Sequence, residues 1–292
     1  MTEPIAVLEV GGTHVTAAWV DRAGWLVSEV HRASLAADGA ASELLDGLAA
    51  AAATLHAPAG TAWGMAMPGP FDYQAGIAHY AGVGKFEGLT GVDVRAELTA
   101  RFDAPPSSIS FVNDASAFLI GEWLIGTARG ADRCAAVTLG TGVGSAFLDR
   151  GEVVEGGPDV PPDAEVHLLD FDGRPLEDWV SRRAIRRSYA DRAGRPDDTD
   201  VREIAALARA GDEAAFAAFN GAFTILGQVL APWLNRFAID QLVIGGSIAG
   251  AWDLIEKPLL NGLSLYSDYT FAIGLATDPE RSPLVGAAHI AR

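Results

Sequence analysis

Cysteine is close to absent from this chain. Cys134 stands alone among 292 residues, so no internal disulfide can form and no cysteine-rich zinc site can be built. Positive charge is scarce too. Against 38 Asp and Glu there are 21 Lys and Arg, and the net charge of −17 argues against a broad nucleic-acid surface. A small anionic ligand survives that argument, because backbone amides and a metal ion can supply local positive potential. The start, Met1-Thr2-Glu3-Pro4, has neither the basic region nor the apolar core of a signal peptide, and no apolar run reads as long enough to cross a bilayer. A soluble cytoplasmic protein without a membrane or nucleic-acid partner is expected. Apolar residues make up 49% of the chain, enough for a substantial core without staples, and the length favours two domains.

Glycine, by contrast, is plentiful and placed with a pattern. From Val137 to Arg150 an apolar run enters a turn containing Gly140, Thr141 and Gly142, and an alternating run leaves it. That reads as strand, tight turn, strand. The stretch occurs twice. Gly12, Thr13, Val15, Ala18, Asp21 and Arg22 recur as Gly140, Thr141, Val143, Ala146, Asp149 and Arg150, without gaps. Inward-aimed amides beside a threonine hydroxyl suit a phosphate. Two such hairpins could face each other across a cleft and hold a polyphosphorylated ligand from both sides; two ordinary glycine-turn hairpins are the alternative.

In chain order, strands are expected over Ile5–Val10, Val15–Val20 and Trp25–Val30, then a helix over Ser42–His56 with an apolar stripe of Leu44, Leu45, Leu48, Ala52 and Leu55. A buried strand over Thr61–Met67 runs into Pro68-Gly69-Pro70. Asp93 caps a helix through Phe102, and the strand Ser108–Val112 ends in Asn113-Asp114 before a helix over Ala115–Ile125. In the second half, 156–162 reads as a linker or a substrate loop. Helices are expected over Leu176–Tyr189 and from Asp212 to about Phe237, the latter kinked or broken by Pro232. A strand over Gln241–Ile244 ends in Gly245-Gly246-Ser247, Phe271–Ala276 is a strand, and Ser282-Pro283 opens a terminal helix. Each half is thus a β-meander followed by alternating helices and strands.

Glu9-Val-Gly-Gly-Thr13, Pro68-Gly-Pro70, Val112-Asn-Asp114, Leu139-Gly-Thr-Gly-Val-Gly144 and Ile244-Gly-Gly-Ser247 occur in the order seen in ROK-family sugar kinases, and the chain resembles that family over nearly its whole length. The resemblance implies the actin-like ATPase (ribonuclease H-like) duplicated α/β fold, with two domains and an interdomain cleft. The domains would be 1–112, with the terminal helix of about 281–292 packing back on it, and 113–280. It implies a kinase transferring the γ-phosphate of ATP, with Mg²⁺, to a hydroxyl, the 6-OH, of glucose or a related hexose. Glu9, Gly11, Gly12, Thr13, Gly140, Thr141 and Gly142 would serve the phosphates, and Gly245, Gly246 and Ser247 would approach the adenosine or simply start a helix. Asp114 would be the general base, its other reading being the N-cap of the following helix. Gly69, Asn113, Glu165, His167 and Glu177 are the other candidate sugar ligands. A homodimer is also expected.

The chain departs from the family in several places. The Glu-x-Gly-His sugar motif is represented by Ala164-Glu-Val-His167, shorter by the glycine, so Glu165 and His167 stand between sugar ligands and ordinary surface residues. The cysteine zinc motif is missing, and no structural zinc is expected. Glu9 replaces an aspartate that helps place the magnesium–nucleotide complex, moving the charge one methylene outward. Near Lys85-Phe86 the family's Asn-Leu and Trp are missing, so the sugar's far side would be lined differently. A polyphosphate-dependent glucokinase, an amino-sugar or cyclitol kinase and a non-catalytic sugar-binding homologue therefore stay open. A ROK-type repressor is disfavoured, since the first hairpin begins by Ile5 and the charge is wrong for DNA.

Overall fold

The computed structural model describes residues 4–265 and 270–291. The first three positions, part of the start read above as lacking a leader, lie outside the described residues, as does Arg292, the last residue of the expected terminal helix. Contacts divide the chain into two units, Met1–Gly126 with Asp278–Arg292, and Thr127–Thr277.

In the first unit, β1 (Ile5–Val10), β2 (His14–Asp21) and β3 (Leu26–Ser34) form an antiparallel meander, and β4 (Ala62–Met67) and β7 (Ser108–Asn113) extend it in parallel from β1. The sheet order is β3-β2-β1-β4-β7. Between β4 and β7 come the short pair β5 (Phe71–Asp72) and β6 (Ile77–Ala78) and helix α2 (Val94–Arg101), capped by Asp93 as expected. β1 is buried along nearly its whole length, as a strand covered on both faces must be. On one face Ala6, Leu8, Val10, Met65 and Phe111 join Leu44, Leu45 and Leu48 of α1 (Ala41–Ala53) in one core. Burying each of those leucines contributes about 1.5–3 kcal/mol.

The other face is covered by α3 (Asp114–Ile125) and the terminal helix α9 (Ser282–Ile290), whose Pro283 sits in the first turn. These two helices meet backbone to backbone. A Cβ on Gly121 would land on the Ser282 carbonyl, and one on Gly286 would land on the Ala117 carbonyl. Neither obstacle is a flexible side chain, so Gly121→Ala should force the helices apart and lower stability by about 1–3 kcal/mol. A urea midpoint unchanged from that of the unsubstituted protein would show that the contact yields.

The second unit repeats the plan. β8 (Arg133–Leu139), β9 (Val143–Asp149) and β10 (Glu152–Val153) form the meander, and β13 (Gln241–Gly245) and β14 (Ala272–Leu275) continue in parallel, in the order β10-β9-β8-β13-β14. The pairing within the two hairpins differs, however. Val10 pairs with Val15, whereas Leu139 pairs with Val143, so the first turn is one residue longer than the second. The incoming strands are correspondingly one residue out of step: Ala6, Leu8 and Val10 face one core, and Ala135, Val137 and Leu139 face the other.

One helix expectation is corrected. The helix expected over Leu176–Tyr189 is two, α4 (Glu177–Val180) and α5 (Arg182–Ala193), reached past the short pair β11 (Asp170–Phe171) and β12 (Arg174–Pro175). Ser181 is extended and its buried hydroxyl caps α5 by accepting from the Ala184 amide at 3.3 Å. After α6 (Val201–Arg209), the long helix α7 (Glu213–Phe237) passes through Pro232 without breaking. Its last turn is held by packing: Leu234 and Phe237 are buried, and the Phe237 ring meets Phe147 edge-on at 5.4 Å. By length and composition α7 is apolar enough to cross a membrane, contrary to the expectation from sequence. Its Phe219, Phe223, Leu226 and Leu230 are instead buried in the core of this unit, against α8 (Trp252–Ser264) among others.

Candidate functional site

Parallel strands β1, β4 and β7 finish side by side, with Glu9 opposite Ala66 and Met67 opposite Asn113. Their carboxyl ends therefore bring together the first Gly-Thr turn, the cis Gly69-Pro70 bond and Asn113-Asp114, where open α/β sheets receive ligands. The Gly11 amide donates to the His14 carbonyl at 2.8 Å, closing the turn, and the Leu35 amide donates to the Thr13 carbonyl at 2.9 Å. Glu9 is largely buried, which raises its carboxyl above the usual range, while the Thr16 hydroxyl and Arg32 oppose that shift. Arg32 lies 3.0 Å from His14 Nε2, and that nitrogen is 3.8 Å from Glu9. Burial and Arg32 together hold the imidazole below its usual pKa, favouring the neutral ring.

The cap of α3 is Asn113, not Asp114. Asn113 Oδ1 accepts from the amides of Ala115 at 2.9 Å and Ser116 at 3.2 Å, and its Nδ2 donates to Tyr73 Oη at 2.9 Å. Asp114 is the first helical residue, and its Oδ1 accepts from Ala115 at 2.8 Å. Its carboxyl is pushed up to about 6. Burial is the main cause, opposed by the Ala115 amide, then reinforced by the charge of Glu9 and eased by Lys85. A carboxylate titrating near neutrality at strand ends is suited to taking a proton. Gly69 lies beside Asn113, since a Cβ there would stand 3.4 Å from Tyr73 Oη and 3.7 Å from Asn113 Nδ2.

Sequence reasoning assigned no role to Tyr73, Tyr80, His14, Arg32 or Lys85. Tyr80 is fully buried and donates to the Pro68 carbonyl at 2.7 Å; burial and the nearby charge of Asp114 push its hydroxyl well above its ordinary value. One signal for Lys85 was available. Lys85 and Lys257 are the only lysines in the chain, all its other cationic side chains being arginine or histidine.

The second unit gathers a different set. The Gly140 amide donates to the Gly142 carbonyl at 3.0 Å, and the Arg182 amide, at the start of α5, donates to the Gly140 carbonyl at 3.0 Å. Glu177 lies against this turn. Its Oε2 is 2.8 Å from where a Cβ on Gly142 would stand and accepts from the Val143 amide at 3.4 Å. Gly246 has φ +84 and faces the Leu139 backbone with no room for a side chain, and Ser247 Oγ is 3.7 Å from the Cβ position of Gly140. Ser247–Ala251 is a 3₁₀ turn leading into α8, so Gly245, Gly246 and Ser247 both start a helix and adjoin the second turn. Glu165 is the extended residue between two short 3₁₀ turns and His167 lies in the second, their side chains 3.9 Å apart. Ser145 on β9 ties this loop down by donating to the Ala164 carbonyl at 2.6 Å and accepting from the Val166 amide at 3.0 Å. Asp163 and Ala164 are left-handed, φ 53 and 58, directly before Glu165, so the loop carries backbone strain where ligand contacts were expected.

Among the described residues no group of three or more His, Cys, Asp and Glu side chains is arranged to hold a metal ion. Cys134 is buried in β8, and burial pushes its thiol up to about 12, so it is inert as a nucleophile.

The architecture matches solved structures along its whole length. A ROK family glucokinase from Streptomyces griseus, in complex with glucose and AMPPNP, aligns over 99% of this chain and 99% of its own with a TM-score of 0.80 at 21% identity. A ROK family transcriptional regulator, a homolog of the E. coli MLC protein, aligns over 98% of this chain and 77% of its own with a TM-score of 0.81 at 19% identity. The fold is thus the actin-like ATPase fold of the ROK kinases. The ROK family sequence model matches residues 5–292, and the chain belongs to the ROK family. A glucokinase from Thermotoga maritima is 27% identical over 216 residues, 67% of this chain and 67% of that protein.

Proposed function

We propose that this protein is a sugar kinase that transfers the γ-phosphoryl group of ATP to a hydroxyl, the 6-OH, of glucose or a related hexose. The observation that carries the reading is Asp114: relieved of the capping role by Asn113, its carboxyl is held near pH 6 at strand ends that also present the first Gly-Thr turn. Phosphoryl transfer asks the protein mainly for positioning and charge stabilisation. The sugar hydroxyl gives its proton to Asp114 as its oxygen attacks the γ-phosphorus. Gly11, Gly12 and Thr13, with Gly140, Thr141 and Gly142, cradle the phosphates through backbone amides and hydroxyls. Asn113, Glu165, His167 and Glu177 orient the sugar, and Gly245, Gly246 and Ser247 adjoin the nucleoside.

A magnesium ion fits Glu9. The donor is a hard carboxylate oxygen at the end of β1, and Mg²⁺ is held by one or two carboxylates together with substrate phosphates. When bound it would neutralise phosphate charge. Glu9 would hold the ion, and the Thr16 hydroxyl and the charge of Arg32 favour its ionised form.

A matrix of acceptors (glucose, mannose, an amino sugar, an N-acetylated sugar, a cyclitol) against two donors (ATP and polyphosphate) tests the reading, with the sugar phosphate identified by mass and by the carbon that bears it. Glucose or a close hexose with ATP is expected to give the 6-phosphate. Sugar binding without transfer from either donor would favour a sensor, the role that a shared fold with a regulator permits.

A further inference from the structure

The loop between β6 and α2 places one cation against the first phosphate turn. Gly82 and Gly84 in this loop are left-handed and open to solvent, but the segment is fastened immediately afterwards. The Phe86 amide donates to the Ala37 carbonyl at 2.6 Å, its ring packs on Tyr80 at 5.5 Å, and the Gly84 amide donates to Glu87 Oε1 at 2.9 Å. Between these anchors Lys85 lies along Gly12. Its Nζ, Cε and Cδ stand 3.2, 3.7 and 3.8 Å from the position a Cβ on Gly12 would take, so the missing side chain of Gly12 makes room for the lysine. Among the described residues Lys85 forms no ion pair or hydrogen bond, although the chain carries far more carboxylates than cations. Its charge nevertheless acts on Asp114. A compact ammonium left unpaired beside a glycine turn is an arrangement for meeting an anion, and lysine meets phosphate as a point charge.

We propose that Lys85 is a catalytic residue whose ammonium contacts the phosphoryl group held at the first Gly-Thr turn. This rests on the phosphoryl-transfer reading above. The sugar oxygen forms its bond to the γ-phosphorus and loses its proton to Asp114. The bond from phosphorus to the bridging oxygen breaks, and its electron pair leaves on ADP. Lys85 stays protonated throughout and offsets the charge on the oxygens of the group in transfer, as preorganised cations do at such centres.

The test uses the full chain with Lys85→Met and Lys85→Arg. Lys85 is exposed, so both variants are expected to fold, and thermal melting checks this. Three quantities are read: kcat with ATP and saturating glucose, or the best acceptor of the panel; the dissociation constant of that sugar; and the dissociation constant of inorganic tripolyphosphate by calorimetry. Lys85→Met should lower kcat by about 10²–10³, weaken tripolyphosphate by about tenfold or more, and leave the sugar constant within about threefold. Lys85→Arg should restore part of both losses, because the charge returns with a different shape. If Lys85→Met keeps kcat and tripolyphosphate affinity within about threefold of the unsubstituted protein, the inference falls while the kinase reading stands. Loss of sugar affinity with tripolyphosphate unchanged overturns it too, by making Lys85 a sugar ligand. If the unsubstituted protein transfers no phosphate yet binds tripolyphosphate through Lys85, the phosphate contact stands and the kinase reading falls. Neither transfer nor tripolyphosphate binding overturns both.

Discussion

Asp114→Asn is expected to cut turnover by about 10²–10⁴ while leaving the sugar's dissociation constant within about tenfold. The substitution keeps the shape and removes only the ability to take a proton. It also leaves the start of α3 intact, because the cap is Asn113. The unsubstituted protein should lose kcat as pH falls through about 6, since a general base must be ionised and the Asp114 carboxyl titrates there in the folded protein. Stability should move the other way. A carboxyl raised from 3.8 to about 6 binds its proton more tightly in the folded state than in the unfolded one. Its contribution is therefore fully present below pH 4 and lost as pH rises through 6. Asn does not titrate, so Asp114→Asn should be the more stable protein at pH 8, by about 1–3 kcal/mol, with the advantage vanishing below pH 4. Turnover close to normal, with no gain in stability at pH 8, would make Asp114 an ordinary helix residue.

The parts of this architecture that were legible in the sequence are those written in local patterns. Strand, Gly-Thr turn and strand can be read in both halves because alternation and turn chemistry are properties of neighbours. The motifs at 68–70, 112–114 and 244–247 fall at strand ends for the same reason. Four features were not legible. Leu176, Val180 and Ala184 are buried at four-residue spacing straight across the break between α4 and α5, so periodicity hid the cap at Ser181. Asn113 and Asp114 are both good N-caps by type, and only the extended backbone of Asn113 decides between them. The meeting of Lys85 with Gly12, like that of Glu177 with Gly142, joins residues far apart in sequence, and no spacing rule reaches so far. The one-residue difference between the two turns is subtler. The side-chain types repeat without a gap, while the strands pair one residue out of step.

Glu177→Gln is expected to change the affinities of two ligands in opposite directions. The carboxylate stands against the second Gly-Thr turn and accepts from the Val143 amide, so an anion already occupies the amides that a donor phosphate would use. Like charges at such separations repel by several kcal/mol in a partly buried setting before solvent relaxes the penalty. Removing the charge should therefore tighten ATP binding in the absence of sugar by about tenfold. If Glu177 is also a sugar ligand, the same change replaces a charged hydrogen bond to a hydroxyl with a neutral one. That loss is worth about 1–1.5 kcal/mol, or about 5- to 10-fold in the sugar's dissociation constant. Calorimetric titration of ATP and of sugar, each alone and each in the presence of the other, separates the two effects. Their product carries further information. If sugar draws the carboxylate away from the turn, saturating sugar should tighten ATP in the unsubstituted protein and do so far less in Glu177→Gln, because the charge that sugar displaces is already gone. Weaker ATP binding in the variant would mean that the carboxylate supports the turn instead of opposing the phosphate, and unchanged sugar binding would remove Glu177 from the acceptor site.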